Sequence, residues 1–171
     1  FCIFISSLLI RACGISFDLP YIDGSSDEPF YVLHSLKFGT GDFNPHWFLY
    51  PTLYMYILFF VYSMYFLLGL VFDIFQSTHD FALLYFTDPS SFYLIGRFTT
   101  ALLGSFTVIL MYPIGKRLFG QRAGFLSSFF LAFTFLHIRD SHIIKSDVPM
   151  TFFLMLSFYF AVRIFQEGRS R

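Results

Sequence analysis

Pro51-Thr52-Leu53-Tyr54-Met55-Tyr56-Ile57-Leu58-Phe59-Phe60-Val61-Tyr62-Ser63-Met64-Tyr65-Phe66-Leu67-Leu68-Gly69-Leu70-Val71-Phe72 runs without one Asp, Glu, Lys or Arg. The uncharged stretch reaches back to Phe43. A helix of about 20 apolar residues crosses a bilayer, so this run is long enough to do so. Further apolar runs occupy 1–17, 93–115, 123–138 and 148–165. Charged residues are 13% of the chain and hydrophobic residues 56%, where a soluble domain carries about twice that charge. Mean hydropathy is +0.66. The fold class that follows is all-α, a polytopic transmembrane helical bundle. Aromatic residues reach 23%, with 28 Phe and 11 Tyr. Phe is inexpensive in lipid and Tyr suits the interface.

Between the first run and Pro51 lies a knot of carboxylates, Asp23-Gly24-Ser25-Ser26-Asp27-Glu28-Pro29-Phe30-Tyr31. Acids beside a membrane span are costly enough to suggest function; the alternative is an ordinary polar loop. Residues 18–29 read as a loop. Glu28 to Phe38 reads as a short amphipathic helix, with Pro29 in its first turn and Gly39-Thr40-Gly41-Asp42 stopping it. Trp47 sits in a second loop, as an interfacial residue. Arg11 interrupts the first span near its end, where it can snorkel to the surface. On a helix Cys2 and Cys13 would lie about 16 Å apart, too far for a disulfide. Lys+Arg and Asp+Glu balance at 11 each, with no basic tract, which argues against a nucleic-acid partner.

Sidedness follows from the positive residues of short loops, which mark the cytoplasmic face. Lys116, Arg117 and Arg122 crowd one turn without an acid, and Arg163, Arg169 and Arg171 crowd the tail against Glu167 alone. The loop Arg139 to Asp147 then faces outward. Whether Asp27 faces the same side depends on 51–72. If that run crosses, Asp27 and Asp147 lie on opposite sides; if it rests in the interface, both face outward. Its tyrosines and the absence of Lys and Arg from 73–91 favour a juxtamembrane helix inside an outer loop spanning 18–92. A plain crossing remains the alternative.

This order of parts resembles the GT-C fold integral membrane glycosyltransferases, in particular the protein O-mannosyltransferase-like family, which includes the aminoarabinose transferases of lipid A. The resemblance is carried by Asp27-Glu28 after the first span and by Phe48-Leu49-Tyr50-Pro51-Thr52-Leu53-Tyr54 opening the juxtamembrane stretch. It is also carried by Gly96-Arg97-Phe98, by Gly115-Lys116-Arg117-Leu118-Phe119-Gly120, and by Ser141-His142 through Asp147-Val148-Pro149-Met150-Thr151-Phe152-Phe153. Relatives that modify lipid A carry Glu just before the proline, where this chain has Tyr50. On this resemblance the chain is an N-terminal part of a longer catalytic module.

The resemblance implies transfer of a sugar from a polyprenyl-phosphate carrier to a protein, lipid or glycan acceptor, at the outer face of the plasma (inner) membrane. Asp27 matches the family's catalytic Asp, a general base for the acceptor hydroxyl. Glu28 would support it or share a divalent cation with it, the one cofactor in view; alternatively it is a first-turn acid favoured by the helix dipole. Asp147 is either a second acid of the site or the cap of the last helix. Arg97, Arg139 and Lys145, with His142 beside them, are candidates to meet the carrier phosphate, or else anchors to lipid headgroups. His142 and His46 fall in no metal-ligand spacing. The competing class is a transporter or flippase subunit, which would bind its substrate in the helix core.

Overall fold

A computed structural model describes residues 2–20 and 27–169. Helices are α1 (Cys2–Ala12), α2 (Glu28–Lys37), α3 (Leu53–Val71), α4 (Thr78–Thr87), α5 (Ser90–Phe119), α6 (Gln121–Phe133), α7 (Phe135–Ser141) and α8 (Asp147–Arg169), with a 3-10 turn at Phe38–Thr40. Among the described residues there is no strand, so the fold is all-α. By length and composition α3, α5 and α8 can each cross a membrane. The chain divides into two compact units: Ser16–Thr99 with Ile144–Ser146, and Phe1–Ile15 with Thr100–Ile143 and Asp147–Arg171.

The unit containing α2, α3 and α4 is built on two matched faces. Glu28, Tyr31, Val32 and Ser35 are the buried residues of α2, spaced so that they share one side. They pack on α3, whose buried residues include Tyr54, Met55, Leu58 and Tyr62. The Tyr54 hydroxyl donates to the Gly96 carbonyl at 3.2 Å and that of Tyr62 to the Phe92 carbonyl at 3.1 Å, tying α3 to the first turns of α5. Packing therefore accounts for two of the tyrosines that suggested an interfacial position for 51–72. Helix α2 starts where expected and ends at Lys37, one residue before the expected Phe38, with Pro29 in its first turn. The 3-10 turn after it ends on Gly41, which takes a φ of 93°. Helix α4 falls within 73–91, the part of the expected outer loop without Lys or Arg. Its cap is Ser77, whose hydroxyl accepts from the Asp80 N–H, while the Asp80 carboxylate accepts from the Gln76 N–H. The loop expected over 18–29 falls partly on residues 21–26, outside the described residues.

In the other unit, α5 and α6 form a hairpin joined by Gly120 alone. Its positive φ of 92° is one that glycine adopts far more readily than residues with a Cβ. Gly115 and Gly124 let the two helices touch: a Cβ on Gly115 would lie 2.8 Å from the Gly124 Cα. The apolar stretch expected as one span over 123–138 is instead two helices, broken at Thr134, which is extended. Thr134 itself bonds the Leu131 carbonyl across the break, and Arg11 adds donors there. Fully buried rather than snorkelling, its guanidinium donates to the carbonyls of Ala132 and Leu131 at 3.2 Å each, to Ser7, and to His137 Nδ1 at 3.0 Å. The helix in the first apolar run covers Cys2–Ala12, shorter than the expected 1–17, and Gly14 follows with a φ of 83°.

Candidate active site

The start of α2 gathers four of the residues singled out in the sequence: Asp27, Glu28, Arg97 and Lys145. All belong to one unit. Glu28 is fully buried and both its oxygens are engaged. Oε1 accepts from Arg97 Nε at 2.9 Å and from the Ile144 N–H at 2.7 Å, and Oε2 accepts from Arg97 Nη2 at 2.7 Å. This is a two-pronged pair, in which the planar guanidinium meets the carboxylate edge to edge. Arg97 is 1% exposed; its Nη1 donates to the Phe17 carbonyl at 2.7 Å and its guanidinium lies 4.0 Å over the Phe17 ring.

In that arrangement the charge of Arg97 is answered by Glu28 inside the protein. A divalent cation shared by Asp27 and Glu28 does not fit. It would have to enter a closed carboxylate already carrying three hydrogen bonds, beside the like charge of Arg97. Among the described residues no group of three His, Cys, Asp or Glu side chains is placed to hold a metal.

Asp27 precedes Glu28 by one residue and lives in a different environment. It occupies the N-cap position, but its side chain makes no capping hydrogen bond. It is a quarter exposed and lies 3.6 Å from the Lys145 ammonium, itself 37% exposed. The segment that carries Lys145 is pinned on either side of it. Ile144 gives its N–H to Glu28, and Ser146 accepts a hydrogen bond at 2.9 Å from the buried Tyr31 hydroxyl. Glu28 and Tyr31 stand one turn apart on α2, so a single helix face sets the register of Lys145. Sequence reasoning missed Tyr31 and Ser146, whose roles rest on a contact between distant parts of the chain. The signal was the spacing of Asp27, Glu28 and Tyr31 along α2.

Arg139, His142 and Asp147 belong to the other unit. Arg139 pairs with its neighbour Asp140 at 2.8 Å. His142 Nε2 lies 3.0 Å from the Cys13 carbonyl and therefore donates to it. Asp147 is exposed and begins α8, where an acid complements the helix dipole. His46, in the loop before α3, bonds the exposed Asp42 at 2.8 Å. The Asn44 N–H, then His46, hold the Asp42 carboxyl below the usual carboxylate range.

Residues 91–171 match the family model described as dolichyl-phosphate-mannose-protein mannosyltransferase. The chain resembles the protein mannosyltransferases. That mannosyltransferase-like stretch contains Arg97, Arg139, His142, Lys145 and Asp147 and stops short of Asp27-Glu28. A protein of Aquifex aeolicus (strain VF5), described only as uncharacterized, is 41% identical over 64 residues, which is 37% of this chain and 13% of that relative. The chain thus aligns with a small part of that relative's length. No solved structure matches. Together with three helices long and apolar enough to cross a bilayer, the mannosyltransferase-like match makes this an integral membrane protein.

Proposed function

We propose that the chain is part of a membrane glycosyltransferase that moves a sugar from a polyprenyl-phosphate carrier to a hydroxyl acceptor on the outer face of the inner membrane, with Asp27 as general base. One observation carries the reading: neighbouring acids are held in opposite states. Glu28 is buried and locked by Arg97, while Asp27 is partly open, uncommitted to capping, and set beside Lys145. The family match over 91–171 supports the reaction class.

In this reading the acceptor hydroxyl attacks the anomeric carbon and gives its proton to an Asp27 oxygen. A C–O glycosidic bond forms as the bond between that carbon and the carrier phosphate oxygen breaks. The electron pair leaves on the phosphate, whose growing charge Lys145 meets. Lys145 can change partners because its contact with Asp27 is long and partly open to solvent. Glu28 and Arg97 touch no substrate; they fix α2 and the 144–146 segment so that Asp27 and Lys145 face one another.

The test is transfer from a polyprenyl-phosphate sugar by the purified protein. Asp27→Asn is expected to lower turnover by 10²-fold or more, the usual weight of a general base, with thermal stability unchanged. Near-normal turnover of a folded Asp27→Asn protein would remove Asp27 from the chemistry.

A further inference from the structure

The α5–α6 hairpin carries a groove whose lining shares no residue with the candidate active site. Because Gly120 alone joins the helices and Gly124 touches Gly115, the hairpin has no loop to cover its end. A groove of about 750 Å³ opens there, lined by Tyr112, Gln121, Arg122, Phe125 and Leu126. Its wall is apolar: Phe125 and Leu126 are each about half exposed. Its mouth is basic. Arg122 lines it, and the Lys116 ammonium stands 5.8 Å from the centre of the Tyr112 ring. Among the described residues neither Lys116 nor Arg122 has a carboxylate partner, and no acid interrupts Lys116 to Arg122. Arg117 turns the other way, toward Gln166 and the Tyr159 ring of α8.

We propose that this groove binds an anionic glycerophospholipid of the surrounding bilayer, with its phosphate between Lys116 and Arg122 and one acyl chain along Tyr112, Phe125 and Leu126. The assignment rests on charge complementarity. Two cations without acids at the mouth of an apolar groove require a ligand that is anionic at one end and hydrocarbon at the other. A zwitterionic lipid brings its own headgroup cation beside Lys116 and Arg122, and a soluble anion leaves the apolar wall without a partner. Basic residues just beyond a span hold anionic headgroups in this way, and the arginine fork matches phosphate oxygens. The proposal stands whether or not the chain transfers sugars.

Native mass spectrometry of the full-length protein in non-ionic detergent tests it, with palmitoyl-oleoyl phosphatidylglycerol and phosphatidylcholine as separate probes. Each basic residue near an anionic headgroup contributes roughly fivefold, so phosphatidylglycerol should be retained on the order of thirtyfold more tightly. Lys116→Gln with Arg122→Gln should bring the two lipids to near parity. Both positions are exposed, so the fold should survive the change. Leu126→Trp narrows the groove and should weaken both lipids. If circular dichroism shows that this variant unfolds, Phe125→Ser, which strips the wall at an exposed position, takes its place. Equal retention of the two lipids by the unmodified protein overturns the proposal. So does a phosphatidylglycerol preference that survives the double substitution, retention indifferent to the groove variant, or a second protein copy held there in place of lipid.

Discussion

Glu28→Gln keeps the shape of the side chain and removes its charge, which isolates what the pair with Arg97 contributes. The guanidinium would remain 1% exposed, facing a neutral amide whose N–H₂ can only oppose a donor of Arg97 or Ile144. Breaking a buried pair by removing one partner costs about 3–5 kcal/mol, because the remaining charge is left uncompensated. For a chain of this length each kcal/mol shifts the midpoint by about 2–4 °C, so Tm should fall by roughly 6–20 °C. The pair Asp27–Lys145, at 3.6 Å and partly solvated, should contribute under about 1 kcal/mol, so Asp27→Asn is the control. The assay is thermal unfolding in detergent of Glu28→Gln, Arg97→Gln and the double variant. The double variant should lie closer to the unmodified protein than the sum of the single losses, by about 2 kcal/mol, since it leaves two neutral groups facing one another. If Glu28→Gln costs under about 1 kcal/mol, or the single losses simply add, the pair is not what holds α2 to α5.

Arg11→Leu should destabilise by about 1–3 kcal/mol by taking the donor from the Ala132 carbonyl; an unchanged Tm would mean that this carbonyl at the broken end of α6 needs no donor. Asp42 has a folded pKa below its unfolded value of about 3.9, so the bonds of the 42–46 turn contribute stability above that value and lose it as pH falls through the lower folded one. The chemical shift of the Asn44 amide should therefore titrate below the ordinary carboxylate midpoint; titration at or above it contradicts the bonding described. Single cysteines at Asp27 and Asp147, in a background lacking the exposed thiols of Cys2 and Cys13, should both react with an impermeant reagent outside intact cells. Reaction at one position alone would make α3 a crossing helix and separate the two acids.

What could be read from the sequence divides along a physical line. Local signals gave α2 its bounds, because Pro29 and the Gly39–Asp42 stop act within a turn of themselves. Such a signal also marks α4: Ser77-Thr78-His79-Asp80 is a capping pattern, although the aromatic residues after it show no clean period. The break at Thr134 had no local mark, since no Gly or Pro lies nearby; the donor that makes it tolerable, Arg11, is more than a hundred residues away. The site shows the same limit. Arg97 in an apolar stretch announces that some anion must answer it, because a charge cannot stay buried alone. The sequence does not say whether that anion is a substrate phosphate or Glu28. Burial decides: a fully enclosed cation takes a partner fixed in the protein, and only a cation with solvent access, such as Lys145, can exchange its partner for a ligand. Exposure is set by how α2, α3 and α5 pack, so the different environments of Arg97 and Lys145 follow from that packing and not from their local sequence.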